Sequence, residues 1–333
     1  MNIAILGGGS WGTAISRLLS NKGYNIKFYV RNNDTVLDIN NNHRNSKYLP
    51  NIEIKNVKAS SNLNECINDT EIIIMAVPSH SFRKVLIEVK KKVGNQIIVN
   101  LSKGIEIDSL KRMSEISKEI LPNNSYVCLS GPSHAEEVGL DIPTTVTVAS
   151  EDINAAKTIQ KIFATDNFRV YTNSDLIGVE IGGALKNIIA LAAGMSDGLK
   201  YGDNTKAALV TRGIYEMSKL GMALGANPQT FNGLSGIGDL IVTCTSMHSR
   251  NRRAGILIGE GNSSEEACKI VGQVVEGIKT TKSAYELSKK YNVNMPITHK
   301  LYEVLYSGLD PREAVLNLMT REYKEEIEEI FFN

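Results

Sequence analysis

A chain of 333 residues that is 42% apolar and 22% charged carries enough apolar material for a sizeable core and too much for disorder, and its length suggests two domains. A formal net charge of +1 excludes a broad basic field for nucleic acid or an anionic membrane, so any bound anion must be held by a local cluster. The four cysteines, Cys66, Cys128, Cys244 and Cys268, are widely spaced without a C-x-x-C pair, which excludes the common zinc and dithiol patterns and reads as buried free thiols in a reducing cytoplasm.

The first apolar run begins at Ile3 with no basic stretch before it, so no signal peptide is expected. Up to about residue 172, short apolar runs alternate with amphipathic helical stretches. NIAIL, NIKFYV, EIIIMAV, QIIVNL, YVCLS and TTVTVAS read as strands, most of them continuous, as strands buried on both faces are. Helical patterns such as SHSFRKVLIEVKKKV lie between them. This alternation predicts an α/β fold with a doubly wound, Rossmann-type, mostly parallel sheet.

The first strand leads directly into GGGSWG. Gly7, Gly9 and Gly12 fit G-x-G-x-x-G between a strand and a helix, the context in which that spacing cradles a pyrophosphate against free helix N–H groups. The second strand ends in Arg31-Asn32-Asn33, where NAD-selective sites usually carry an acid for the ribose 2′-hydroxyl. Arg31 suits a 2′-phosphate instead, so NADP(H) is slightly favoured over NAD(H), and Asp34 keeps NAD in play. AVPSH, after the third long strand, lies where such a cofactor passes.

Two further strand ends face the same crevice. NLSKGIE brings Lys103, and LSGPSHAEEV brings Gly131 and Ser133, with His134 left without a role. Position alone leaves Lys103 open to being a surface lysine.

After about Ser174 the strands stop, predicting residues 1–174 as a dinucleotide-binding domain and 175–333 as an all-α substrate domain. Helices are expected over 176–195, 203–224, 263–271, 276–291, 296–307 and 310–320, and the acidic tail KEEIEEIFFN reads as a solvated helix end. The segment 176–195 is apolar enough to suggest a membrane, but Glu180, Lys186 and Asn187 near its middle argue for a buried core helix. A lysine in such a helix either snorkels to water or is buried with a lowered pKa, which is what a lysine general base requires. GLSGIGDLIVTCTSMHSRNRRAG then offers a glycine-rich loop ending at Asp239. Ser249, Arg250 and Asn251 follow at a helix start, a pocket suited to a phosphate monoester. No metal-ligand spacing occurs.

Taken in order, GGGSWGTA, NLSKGIE, LSGPSHAEEV, GALKNIIALAAG, GLSGIGDLIVTCTS, SRNRRAG and VVEGIKT resemble the bacterial-type NAD(P)-dependent glycerol-3-phosphate dehydrogenases over nearly the whole chain. The resemblance implies reversible hydride transfer between NAD(P)H and dihydroxyacetone phosphate, giving sn-glycerol 3-phosphate for phospholipid synthesis. It implies Lys186 as the catalytic proton carrier. It implies substrate contacts from Lys103, Gly131, Ser133, Asp239, Ser249, Arg250 and Asn251. It further implies cofactor contacts from Ser10, Trp11, Arg31, Lys103, Ala135, Arg250, Val274 and Glu276, and a homodimer. The competing readings are a 3-hydroxy-acid dehydrogenase of similar layout and a nucleotide-sensing protein without turnover.

Overall fold

The computed structural model describes residues 1–323, 325 and 326. Strands and helices alternate through the first half: β1 (Asn2–Leu6), α1 (Ser10–Asn21), β2 (Asn25–Tyr29), α2 (Asn33–Asn42), β3 (Arg44–Asn45), β4 (Leu49–Glu53), β5 (Val57–Ser60), α3 (Leu63–Ile67), β6 (Ile72–Met75), α4 (Ser79–Lys90), β7 (Ile97–Asn100), α5 (Met113–Ile120), β8 (Tyr126–Ser130), α6 (Ala135–Gly139), β9 (Thr144–Ala149), α7 (Ile153–Phe163) and β10 (Phe168–Asn173). Among the described residues only helices follow: α8 (Leu176–Gly198), α9 (Asp203–Ala223), α10 (Asp239–Thr245), α11 (Arg250–Gly259), α12 (Ser264–Val271), α13 (Glu276–Lys290), α14 (Pro296–Ser307) and α15 (Pro311–Met319), with short 3-10 and π turns at Pro228–Asn232 and Leu234–Gly238. The tail expected as a solvated helix end lies outside the described residues except for Glu325 and Glu326, which are not helical.

Eight strands form one sheet in the order β10-β9-β8-β7-β6-β1-β2-β5, and β3 pairs with β4 in a separate hairpin. Every neighbouring pair in the large sheet is parallel except β8–β9. The chain winds from β1 outward through β2 to β5, then returns to β6 on the other side of β1. This reversal opens a crevice beyond the carboxyl ends of β1 and β6. Alternation of side chains explains the continuous apolar runs. Ile3 and Ile5 enter one core cluster while Ala4 and Leu6 enter the cluster on the opposite face, and all four are fully buried. The fold is therefore the doubly wound sheet with a helical second half.

Four strands escape the sequence pattern. β5 and β10 are the sheet's edges, and their alternating burial lacks the continuous apolar signature. The β3–β4 hairpin is too short for any periodicity, and Pro50 sits inside it.

α8 is the axis of the helical half. By length and composition it could cross a membrane, with a mean hydropathy of 1.6, yet 89% of that stretch is buried inside the protein. It is in backbone contact with α11 at Gly255, where a Cβ would stand 2.1 Å from the Leu191 carbonyl oxygen. Glu180, in the first half of α8, is fully engaged. It accepts hydrogen bonds from Arg112 Nη1 (2.7 Å), Ser114 N (2.8 Å), Ser114 Oγ (2.5 Å) and Tyr126 OH (2.7 Å). One carboxylate thus caps α5 and ties it, with β8, to the helical half. Removing it takes the acceptor from four part-buried donors, one of them charged. Glu180→Ala is expected to lower the unfolding free energy by about 3 kcal/mol, read from denaturant melts, whereas an exposed ion pair such as Lys91–Glu88 contributes under about 1 kcal/mol.

Candidate active site

The glycine loop needs its glycines for space. Gly7 has φ +125°, and a Cβ there would stand 2.4 Å from Ala76 O; a Cβ on Gly12 would meet Gly7 O at 2.0 Å. Around Gly9 the situation is reversed, with nothing within 4 Å of where a Cβ would stand. Gly9 is also the N-cap of α1 and supplies no side chain to its first turn. The result is an open cradle facing uncapped N–H groups, which fits the pyrophosphate of a dinucleotide. Ser10 Oγ donates to Tyr48 O (3.2 Å), and buried Asn45 Nδ2 donates to Gly8 O (3.0 Å) and Thr13 Oγ1 (2.8 Å). The β3–β4 hairpin therefore braces the loop, a contribution that the sequence does not reveal. Trp11 is half-buried against the core of the sheet. Arg31 is exposed at the end of β2. Asn32 is committed to capping α2, its side chain accepting from Thr35 N (2.9 Å).

Two lysines meet on one carboxylate at the seam between sheet and helices. Asp239 opens α10 and is 1% exposed. Lys186, from α8, donates from Nζ to Asp239 Oδ1 and to Thr243 Oγ1 (2.9 Å). Lys103, after β7, donates to Asp239 Oδ2 (2.6 Å) and to Gly131 O (3.1 Å). Thr243 Oγ1 donates its own hydrogen to the Asp239 main-chain oxygen (2.5 Å), so toward Lys186 it can only accept. Thr243 is one turn beyond Asp239, on the same face of α10, and no sequence motif singles it out. Burial lowers the Lys186 pKa to about 7; Asp239 opposes that shift and the nearby Lys103 charge adds to it. For Asp239, burial alone would raise the carboxyl pKa, but the two ammonium groups outweigh it and the net shift is downward.

The predicted phosphate pocket divides on inspection. Ser249 is buried and caps α11, its Oγ accepting from Arg252 N (3.2 Å). Asn251 is also buried and acts as a brace: its Nδ2 donates to Asn187 Oδ1 (2.8 Å), and its Oδ1 accepts from Gly277 N (2.8 Å). Each side chain thus has a structural partner and keeps one hydrogen to donate, the Ser249 hydroxyl and the second Asn251 amide hydrogen, in addition to the main-chain N–H groups of the first turn of α11. Arg252 is turned away into an ion pair with Asp197 (2.8 Å). Arg250 remains: it is solvent-exposed within the cleft, and the surrounding protein holds its pKa below the usual value, against the raising effect of Glu276. Ser133 Oγ donates to Gly131 O (2.9 Å), which Lys103 also reaches, and Ala135 begins α6. His134 occupies the N-cap position of α6 without a side-chain capping bond, and its Nε2 is buried without a partner among the described residues. Burial, then the Lys186 charge, lower its pKa. Val274 is exposed beside α13. Glu276, the first residue of α13, accepts from Ser79 N (3.0 Å) and Ser79 Oγ (2.6 Å), capping α4 across the cleft.

Comparison with known proteins agrees with this layout. Residues 2–156 match the family model of the NAD-dependent glycerol-3-phosphate dehydrogenase N-terminus, and residues 175–316 that of the C-terminus. A relative from Clostridium tetani, named glycerol-3-phosphate dehydrogenase (NAD(P)+), is 56% identical over 97% of this chain and 93% of its own. One of the same name from Bacillus subtilis is 51% identical over 98% and 96%. Among solved structures, glycerol-3-phosphate dehydrogenase from Coxiella burnetii superposes with a TM-score of 0.93 at 38% identity, covering 96% of this chain and 99% of that one. The Plasmodium falciparum enzyme gives 0.88 at 28% identity over 98% and 97%.

Among the described residues Asp239 is the only carboxylate in an ion pair with either lysine amine, so its charge is testable apart from any reaction. Asp239→Asn is expected to lower the Lys186 pKa further below about 7. Competitive amine labelling across pH checks this; a pKa that rises or stays fixed would contradict the arrangement.

Proposed function

The chain belongs to the NAD-dependent glycerol-3-phosphate dehydrogenase family, and we propose that Lys186 is the group that moves the proton in its reaction. The protein is an NAD(P)-dependent oxidoreductase that interconverts sn-glycerol 3-phosphate and dihydroxyacetone phosphate. Its product serves phospholipid synthesis.

One observation carries the role of Lys186. An ammonium has three N–H donors, and Asp239 and Thr243 accept two of them. The third is left for the substrate oxygen. When Lys186 is neutral, the same two bonds can persist and its lone pair occupies the third direction. A pKa of about 7 makes both forms accessible near neutrality. In the oxidative direction the neutral amine takes the hydroxyl proton from C2; in reverse the ammonium returns it. Lys103 stands where it can stabilise negative charge on the same oxygen. The nicotinamide, when bound, accepts or supplies the hydride. Arg250 and the N–H groups opening α11 hold the phosphate, a handle distant from the reacting carbon that fixes its orientation. Gly131 and Ser133 line the substrate side of this cleft.

We assign the cofactor to the Gly7–Gly12 cradle, with Ser10, Trp11, Arg31, Lys103, Ala135, Arg250, Val274 and Glu276 along its path. Exposed Arg31, with no carboxylate paired to it among the described residues, favours NADP(H). The division between cofactor and substrate domains falls at 174, between β10 and α8. A cytoplasmic homodimer completes the proposal, and the four free cysteines suit a reducing compartment.

Lys186→Ala is expected to cut turnover by roughly a thousandfold while cofactor binding survives. Retained turnover with dihydroxyacetone phosphate would remove Lys186 from the chemistry. For the wild-type protein, kcat/KM for alcohol oxidation should rise with pH through about 7, because the proton acceptor must be neutral, and for ketone reduction should fall through the same range. Arg250→Ala should raise the KM for dihydroxyacetone phosphate by at least about tenfold with a smaller change in kcat, as loss of a charged phosphate contact does.

A further inference from the structure

Arg31 is not alone at the mouth of the cofactor cleft. The sheet order sets β6 and β2 on either side of β1, so the segments following those strands flank the glycine loop. Arg31 ends the β2 side, and Ser79 and His80 begin α4 on the β6 side. Glu276 clamps the first turn of α13 onto that point through its two bonds from Ser79, at 2.6 and 3.0 Å. Lys279 lies three residues further along α13, hence on the same face as Glu276. It is half-buried and has no ion pair among the described residues. The one acid beside it, Glu276, already has both oxygens occupied by Ser79. Lys279 and Arg31 both act on the His80 imidazole: its pKa is lowered first by loss of water, then by Lys279, with a smaller contribution from Arg31 and an opposing one from Glu276. Arg31 after β2 and Lys279 on α13, remote in the chain, therefore bring two cations to the start of α4, on the side of the glycine loop to which we assign the adenosine half of the dinucleotide.

We propose that Lys279 is a specificity-determining residue, which together with Arg31 holds the phosphate on the 2′-position of adenosine and so sets the preference for NADP(H) over NAD(H). This rests on the cofactor reading given above. Two cations from opposite walls suit a dianionic monoester better than either alone, since the ester has three oxygens to satisfy. The arrangement also makes selectivity depend on the clamp: Lys279 is delivered by the helical half, and Glu276 fixes the turn that carries it.

The test is calorimetric titration of the full-length protein with adenosine 2′,5′-bisphosphate and, separately, with adenosine 5′-monophosphate. Lys279→Ala is expected to weaken the bisphosphate about tenfold and to leave the monophosphate within about twofold, with Lys279→Arg restoring most of the loss. The NADPH-to-NADH ratio of kcat/KM should fall by a similar factor in Lys279→Ala. Equal weakening of both nucleotides, or of neither, would overturn the role of Lys279. If Arg31→Ala is selective against the bisphosphate while Lys279→Ala is not, the cofactor reading stands and this inference falls. If wild-type protein binds the two nucleotides equally, the NADP(H) preference itself falls, and the inference with it.

Discussion

The mechanism proposed above depends on a single carboxylate that two amines share. Asp239 sits almost wholly out of water between Lys186 and Lys103. Burying an isolated ion costs several kcal/mol, and here three ionisable groups are taken from solvent together. With both lysines protonated the cluster carries one positive charge in excess. With Lys186 neutral it carries none. The low-dielectric surroundings therefore favour release of one proton, and the deeper amine is the one whose pKa is lowered to about 7. Asp239 prevents a larger fall, which in the proposed mechanism would leave too little ammonium to donate in the reductive direction. Desolvation and attraction are set against each other so that the amine can exchange a proton in either sense near neutrality.

The same economy of carboxylates holds the scaffold together. Glu180 caps α5 from α8, and Glu276 caps α4 from α13. Glu216, on α9, caps α14 by accepting from Ile297 N (2.6 Å), Thr298 N (3.1 Å) and Thr298 Oγ1 (3.0 Å). In each case an N-terminal N–H group of a helix donates to an acid from a distant part of the chain, α5 also having Glu115 as a local partner for Arg112 N. Burial raises the Glu216 pKa to about 7, a sign that its desolvation outweighs those bonds. Two of the three caps, those of Glu180 and Glu276, cross between the sheet half and the helical half. They fix the relative position of Lys103 and Lys186, which come from opposite sides and have to meet on Asp239.

Much of this was legible in the chain, and for identifiable reasons. Strands buried on both faces announce themselves as apolar runs, so β1, β2 and β6 to β9 stand out. The edge strands β5 and β10 do not, because half of each faces water. The glycine spacing is readable because sterics leave no alternative: a side chain at Gly7 or Gly12 would collide with main-chain atoms. Lys186 was conspicuous as a charge within an apolar helix. Its partner Thr243 was not, since a threonine among Val242 and Cys244 has no pattern of its own and gains meaning only when α10 packs on α8. Asn251 shows the converse. Its place among basic residues suggested a side-chain donor for phosphate; the structure commits one amide hydrogen to Asn187 and the amide oxygen to Gly277, so only its second amide hydrogen is left to donate. A linear motif shows which residue types are gathered, but hydrogen-bond accounting decides which atoms remain free.

That accounting also explains how a chain of nearly zero net charge can take two anionic ligands. The charge balance of +1 is a global sum, and the field within a cleft is set by the groups lining it. Two acids of this cleft are already committed: Asp239 to two lysines, Glu276 to the start of α4. The cations Arg31 and Arg250 have no ion pair among the described residues, and Lys279 shares that state. Arg252, only two residues beyond Arg250, is neutralised by Asp197 and serves packing instead. Arg31, Arg250 and Lys279, unpaired among the described residues, stand at the positions proposed above for phosphates. In the proposed assignment both ligands are recognised through phosphates remote from the reacting carbon, which leaves the site of bond-making to one amine with an adjustable charge.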